Sequence, residues 1–488
     1  MKYFTIKELC ASDTARRKGI DNEPTPEIVR NLTALVDNIL DPLREAWGKP
    51  IIVNSGYRCD ALNKAVGGVA ASQHCFDSET ELLTADGWKR YNALSKGELI
   101  FSYSIERDEI EIVPIDELIV QQYSGNAVRI KSTHMDLLVT DGHRMLVRNE
   151  SHKYKRKSKH KISERGQKYF DSLKTDNDKW HIELAKDIVG KRRIYKCAST
   201  FSATTVDNKD MLLLKLVIAT VTDGCITYRN KRFSGIAFHF KRDRKIQHLL
   251  ALLEALKLTH TIRIRKSDGA TCIWLNSTSA NEVFEIVGPD KVLPMWLTML
   301  PSVQQRELIM EYTFYDGHKD ERAGCDSGSI LTTNKQNLDV LQAMCALSGI
   351  REIVTVKPPS TYDIRGQKGQ SKEAYVLNLC YNRDSVKIAE DKSTIEHYDG
   401  IMWCANNVNT TVIVRRNHTV SIQGNCKGQA ADLDVGSRAD NMKLFNLIEE
   451  LDLPFDQLCF EKGNTAVGPD WVHVSYSPRN RREIKYIR

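Results

Sequence analysis

At 488 residues the chain is long for a single domain, and the usual ~100–200 residues per domain predicts about three. Lys and Arg number 70 against 63 Asp and Glu, a net charge of +7, which permits contact with nucleic acid but is too mild to demand it. Twelve cysteines without a CxxC pair argue against a disulfide framework and a cysteine zinc site, and the lack of a long apolar run argues against a membrane partner.

In chain order, MKYFTIKELC lacks an apolar signal core, and the longest hydrophobic stretch, around 211–221, is broken by Lys215. A soluble monomer made in the cytoplasm without an export signal is therefore expected. Residues 25–47 carry Ile28, Leu32, Leu35, Val36, Ile39 and Leu43 at helical spacing, with Thr25 as N-cap and Pro26 in the first turn. A strand entering a turn follows at 50–59, PIIVNSGYRC. Then comes a discontinuity. Deleting residues 75–425 joins SQH (72–74) to CKGQAAD (426–432), which leaves six residues between His74 and Asp432, a plausible spacing for two zinc ligands. The deleted segment begins at Cys75, ends at Asn425 and is followed at once by Cys426. Those residues supply a sequence of acyl transfers. The Cys75 thiolate attacks the His74 carbonyl, Cys426 takes over the acyl group, the Asn425 side chain cyclises on its own carbonyl, and the Cys426 amine recaptures the acyl group as an amide.

Further along, an apolar run (137–139) precedes TDGH (140–143), and MWC (402–404) precedes VIVRRNHTVSIQGNC (412–426), two strand-like runs leading to the terminal Asn. On these residues segment 75–425 resembles an intein with a Hint splicing domain. The resemblance implies that Thr140 and His143 grip and protonate the first junction, with Cys404 at a position that is often Asp. Gly424 stands where His usually precedes the terminal Asn, and His418 substitutes only if the fold returns it to the junction.

At 351 residues the segment is too long for a splicing domain alone. Within it, LVIATVTDG (216–224) and LIMEYTFYDG (308–317) are apolar helical runs that end in Asp-Gly, followed respectively by 241–256 and 334–350 of similar character. They resemble the paired helices of LAGLIDADG homing endonucleases. That resemblance implies double-stranded DNA as partner and Asp223 and Asp316 as catalytic ligands of Mg²⁺. Thr220 and Thr222 depart from the small apolar or acidic residues usual there. The basic run 151–161, SHKYKRKSKHK, is read either as a solvated loop or as a phosphate-contacting arm.

After the junction, 430–435 reads as a strand, 437–453 as an amphipathic helix and DWVHVSYSP (470–478) as a closing strand. SGYR, SQH with GxxAD, and DWVH resemble zinc D,D-carboxypeptidases and L-alanyl-D-glutamate endopeptidases of the phage-lysin type. The resemblance implies His74, Asp432 and His473 on Zn²⁺, Asp470 as general base, Arg58 on the developing oxyanion, and a peptidoglycan stem peptide as substrate. The expected whole is a multidomain α+β chain. A split α+β zinc peptidase of Hedgehog/DD-peptidase type (1–74 and 426–488) encloses an all-β Hint domain (75–200 and 393–425), which encloses an α+β endonuclease (201–392). The alternatives are an endonuclease carrier with dead splicing and a wall-binding flank with a vestigial zinc site.

Overall fold

The computed structural model describes residues 1–24, 26–59, 62, 75–149, 179–320, 326–364, 367–424, 430–476 and 482–487. The chain forms two compact units, Met1–Ser72 with Cys426–Arg488, and Gln73–Asn425.

The first unit is a five-stranded sheet in the order Ile52–Ser55, Ala430–Asp434, Trp471–Ser475, Gln457–Glu461, Glu483–Ile487, so strands from both ends of the chain are neighbours. Leu433, Val472, Val474 and Leu458 on one face pack against Leu35, Ile39 and Leu43 from the N-terminal helices and Leu444, Phe445 and Ile448 from Arg438–Glu450. The run expected as one helix is divided. Pro26–Leu35 passes through a π-helical turn, Val36–Leu40, into Asp41–Trp47. Pro42 has no N–H to give to the preceding turn and its ring crowds the carbonyl four residues back, which the wider turn accommodates. Thr25, expected as the N-cap, lies outside the described residues.

In the second unit the segment after Cys75 is rich in strands. Phe76–Asp77, Ser393–Asn406, Glu117–Lys131 and Asp136–Thr140 close into a barrel. Thr411–Arg416 and Thr419–Gly424 form a hairpin whose turn residues, Asn417 and His418, both have positive φ (44° and 62°), the geometry that matches strand twist in a two-residue turn. The hairpin is buried on both faces, its polar Thr411, Arg415, Arg416, Ser421 and Gln423 included. Arg416 fastens it to the strand after Cys75, with ion pairs to Asp77 (3.0 Å), Glu79 (3.0 Å) and Asp136 (2.5 Å). Ser385–Ile388, inside the range expected for the inserted endonuclease, pairs instead with Arg193–Lys196 in a sheet of this β-rich part.

Between these strands lies an internal repeat. The helix Asn208–Asp223 leads into a sheet ordered Gly224–Arg229, Arg232–Phe240, Thr271–Asn276, His260–Ile264, and the helix Ser302–Asp316 leads into one ordered Gly317–Lys319, Ser327–Thr332, Ala374–Cys380, Arg351–Lys357. Both follow the same path, first–second–fourth–third, and each carries a helix between its second and third strands, Asp243–Ala255 and Lys335–Leu347. The two leading helices pack on one another and share one core. Even their threonines correspond. Thr220 Oγ1 donates to Leu216 O and Thr313 Oγ1 to Ile309 O, both at 2.8 Å, so each buried hydroxyl is satisfied by its own helix.

Candidate functional site

Cys75 is fully buried at the mouth of the barrel. Its N–H donates to Thr140 Oγ1 at 3.1 Å and its carbonyl accepts from Thr140 N at 3.1 Å. The pairing follows from register. Phe76 stands opposite Val139 on one side and Trp403 on the other, so one step further sets Cys75 across from Thr140 and from Cys404. Gln121 Nε2 approaches Cys75 Sγ at 3.7 Å. His143 is also fully buried, its N–H turned back to Thr140 O (3.0 Å) and its ring edge-on to Phe76 with centroids 4.5 Å apart. Trp403 braces the other side of Phe76 and donates from Nε1 to Asp77 O at 2.8 Å. Cys75, Thr140, His143 and Cys404 thus converge. Phe76, Gln121 and Trp403 were not identified from sequence, because their place depends on cross-strand register rather than on spacing along the chain.

At the other junction Asn425 and Cys426 lie outside the described residues, as does His74. The neighbouring Gly424 is buried, and a Cβ there would stand 2.7 Å from Arg144 O and 2.9 Å from Arg144 Cβ. No side chain fits there without moving a strand, so the backbone packing at this position calls for glycine. His418 is not its substitute. It sits in the turn at the opposite end of Thr419–Gly424, about 20 Å of extended chain away. There its carbonyl accepts from Gln342 Nε2 (2.9 Å), and burial lowers its ring pKa.

In the repeat, Asp223 and Asp316 end the two packed helices. Burial, and then the charge of Asp223, push the Asp316 carboxyl up from its ordinary range. Lys245 Nζ contacts Asp223 at 2.5 Å, and Lys291 Nζ donates to Gly224 O at 2.8 Å. Two carboxylates at the ends of packed helices offer oxygen donors of the kind that suit a hard divalent cation such as Mg²⁺. The following glycines are required by close approach. A Cβ on Gly224 would lie 2.7 Å from Thr220 O and one on Gly317 2.4 Å from Ser329 O.

In the first unit, Asp432 and His473 are cross-strand partners, with Nδ1 and Oδ1 2.8 Å apart and both side chains partly exposed. Glu461 shares their sheet face, diagonal to His473, and burial raises its carboxyl. Asp470, expected as the base, is held by Arg438 Nε at 2.5 Å. Arg58 is exposed past the end of Ile52–Ser55, in a turn that Asn22 pins by accepting from Cys59 N at 2.7 Å and donating to Tyr57 O at 3.2 Å. Among the described residues no group of three or more His, Cys, Asp or Glu is placed to hold a metal. Asp432 and His473 fit zinc as two of the three expected ligands, the third, His74, lying outside them. The basic run 151–161 also lies outside the described residues.

A family profile described as Peptidase M15 matches residues 2–91. The match runs past Cys75 into strands that the structure assigns to the second unit. The ribonucleoside-diphosphate reductase subunit beta of Aquifex aeolicus is 25% identical over 369 residues, covering 72% of this chain and 50% of that protein. The chain thus spans about half the length of the curated relative it matches. Similar solved structures include mesophilic variants of the homing endonuclease I-DmoI (16% identity, 36% of this chain and 90% of that one, TM-score 0.26). Another is I-DmoI in complex with DNA and Ca (16%, 36% and 84%, TM-score 0.26). A third is full-length DUF199/WhiA from Thermatoga maritima (11%, 36% and 53%, TM-score 0.25).

Proposed function

We propose that the chain is a self-splicing precursor in which residues 75–425 excise themselves and join 1–74 to 426–488 as a zinc-dependent peptidase of peptidoglycan stem peptides. The observation that carries this reading is where the packing divides. The seams between units fall at 72/73 and 425/426, the second at the junction marked by chemistry and the first two residues from it. The buried Cys75 with Thr140 on its amide, and His143 beside Phe76, support an attack on the preceding carbonyl. The reductase match adds a different kind of support. It covers 72% of this chain, more than the flanks can supply, so most of it falls within 75–425. A stretch shared with a reductase subunit by a chain whose N-terminus matches a peptidase profile is what a mobile insertion leaves behind.

The inserted repeat, on this reading, is an endonuclease that acts on double-stranded DNA lacking the insertion, with Asp223 and Asp316 holding Mg²⁺. In the joined product His74, Asp432 and His473 would hold zinc, which supplies an activated water and a polarised carbonyl. Arg58 would orient the substrate carbonyl. Asp470 would serve as base once released from Arg438.

Expression in reductant at neutral pH tests the central claim. Intact mass should resolve a 351-residue excised segment and a 137-residue joined product, while Cys75→Ala with Asn425→Ala stays full length. A wild-type chain still unprocessed after a day would refute it.

A further inference from the structure

The N–H that approaches the Cys75 sulfur comes from two strands away. Because the N–H and carbonyl of Cys75 both turn to Thr140, Cys75 and Cys404 form a cross-strand pair without backbone hydrogen bonds, the kind in which side chains lie closest. Cys404 faces Ile119 on Glu117–Lys131 and Met402 faces Gln121, so Cys75, Cys404, Ile119 and Gln121 share one face of the barrel wall. Gln121 is diagonal to Cys404, a separation that a long side chain spans. Its Nε2 comes within 3.7 Å of Cys75 Sγ, and Cys75 itself is fully buried. A thiolate held out of water is costly, and an N–H aimed at the sulfur offsets part of that cost.

Resting on the splicing reading above, we propose that Gln121 is a further catalytic residue, whose carboxamide N–H stabilises the Cys75 thiolate for its attack on the preceding carbonyl. In that step the thiol proton leaves, the sulfur bonds to the carbonyl carbon, the C–N bond to Cys75 breaks, and the departing amine gains a proton. Gln121 exchanges no proton. The titratable groups beside it are Cys404 opposite Cys75, Tyr123 on its own strand, and Asp141 and His143 in the turn after Thr140. Burial, then Asp141, then Cys75 raise the Tyr123 hydroxyl, so the charges felt there are negative and the amide supplies the opposite polarity.

Gln121→Met and Gln121→Lys, made in the full chain with Asn425→Ala and Cys426→Ala to stop later steps, test the role. The readout is the rate of dithiothreitol-induced cleavage before Cys75 across neutral and alkaline pH, with the unfolding midpoint as control. Gln121→Met should slow cleavage at about pH 7 at least threefold and move the pH profile up by about one unit, the rates converging in alkali. Gln121→Lys, which offers N–H with a full positive charge, should move the profile to lower pH. Slowing by one factor at every pH would make Gln121 structural and overturn the proposal, as would an unchanged profile in Gln121→Met or displacement of both variants in the same direction. A parent chain that thiol cleaves at no pH would instead overturn the splicing reading, and this role with it.

Discussion

Thr140 owes its influence to one oxygen placed on one amide. Removing it in Thr140→Val leaves the barrel strand and its apolar neighbours in place but takes the acceptor from Cys75 N. Thiol-induced cleavage before Cys75 should fall at least tenfold, about 1.4 kcal/mol of barrier, with little change in unfolding temperature, read by gel densitometry and thermal denaturation. A second buried residue supplies a pH signature. Burial raises the Glu352 carboxyl to about 7, against the lowering effects of the Gln342 hydrogen bond and the Arg415 charge. Its folded value is above its unfolded one. The folded state therefore binds the extra proton, and stability is greatest below the unfolded value and falls as pH rises through about 7. Glu352→Gln should stabilise the unit by roughly 2 kcal/mol at pH 8 and by little at pH 5, measured by denaturant unfolding. Of these residues, Thr140 and His143 were legible because they form one short string. Glu352, Gln121 and Trp403 were not, because nothing along the chain indicates which strand will lie beside them.

At the scale of elements, helices and strands were easier to read than their ends. The two Asp-Gly helices could be seen in sequence by their apolar runs, and their sheets could not, since the fourth strand of each lies between the second and third. The same limit hid Ser385–Ile388, a strand whose partner in its sheet, Arg193–Lys196, lies almost two hundred residues earlier. Closeness at the helix ends makes a sharp forecast. Gly317→Ala drives a methyl into the Ser329 carbonyl and should cost about 1–3 kcal/mol, seen as a lower unfolding midpoint. Asp223→Asn keeps the shape and removes a charge. It should abolish Mg²⁺-dependent cleavage of insertion-free DNA and, by removing the second-largest cause of its shift, bring the Asp316 carboxyl down toward its ordinary range, measurable by NMR titration. Equal inertness of wild type and variant would leave only the scaffold of an endonuclease.

For the whole molecule, the division into two units falls at or within two residues of the boundaries marked by two cysteines and an asparagine, but the contact between the repeat and the β-rich part was not legible. The helix Lys335–Leu347 turns Leu338, Leu341 and Met344 to the repeat and Ala343, Ala346 and Leu347 to Leu83, Phe101, Ile413 and Ile422 of the β-rich part. Its Asp339 pairs with Arg415 at 2.5 Å on the hairpin that ends at the second junction. Excising the repeat would uncover that apolar face, so its loss should impair splicing as well as DNA cleavage.

The five-stranded sheet of the first unit has a further consequence. Because Ile52–Ser55 pairs directly with Ala430–Asp434 and the core draws side chains from both ends of the chain, the two flanks do not rely on a peptide bond for their association. Abortive cleavage at both junctions would leave a noncovalent heterodimer that co-elutes on gel filtration and resolves only under denaturation. For that dimer, ligation changes molecularity rather than contacts. Dilution then becomes the variable that separates a joined enzyme, indifferent to concentration, from a merely reassembled one whose activity falls away as its halves part.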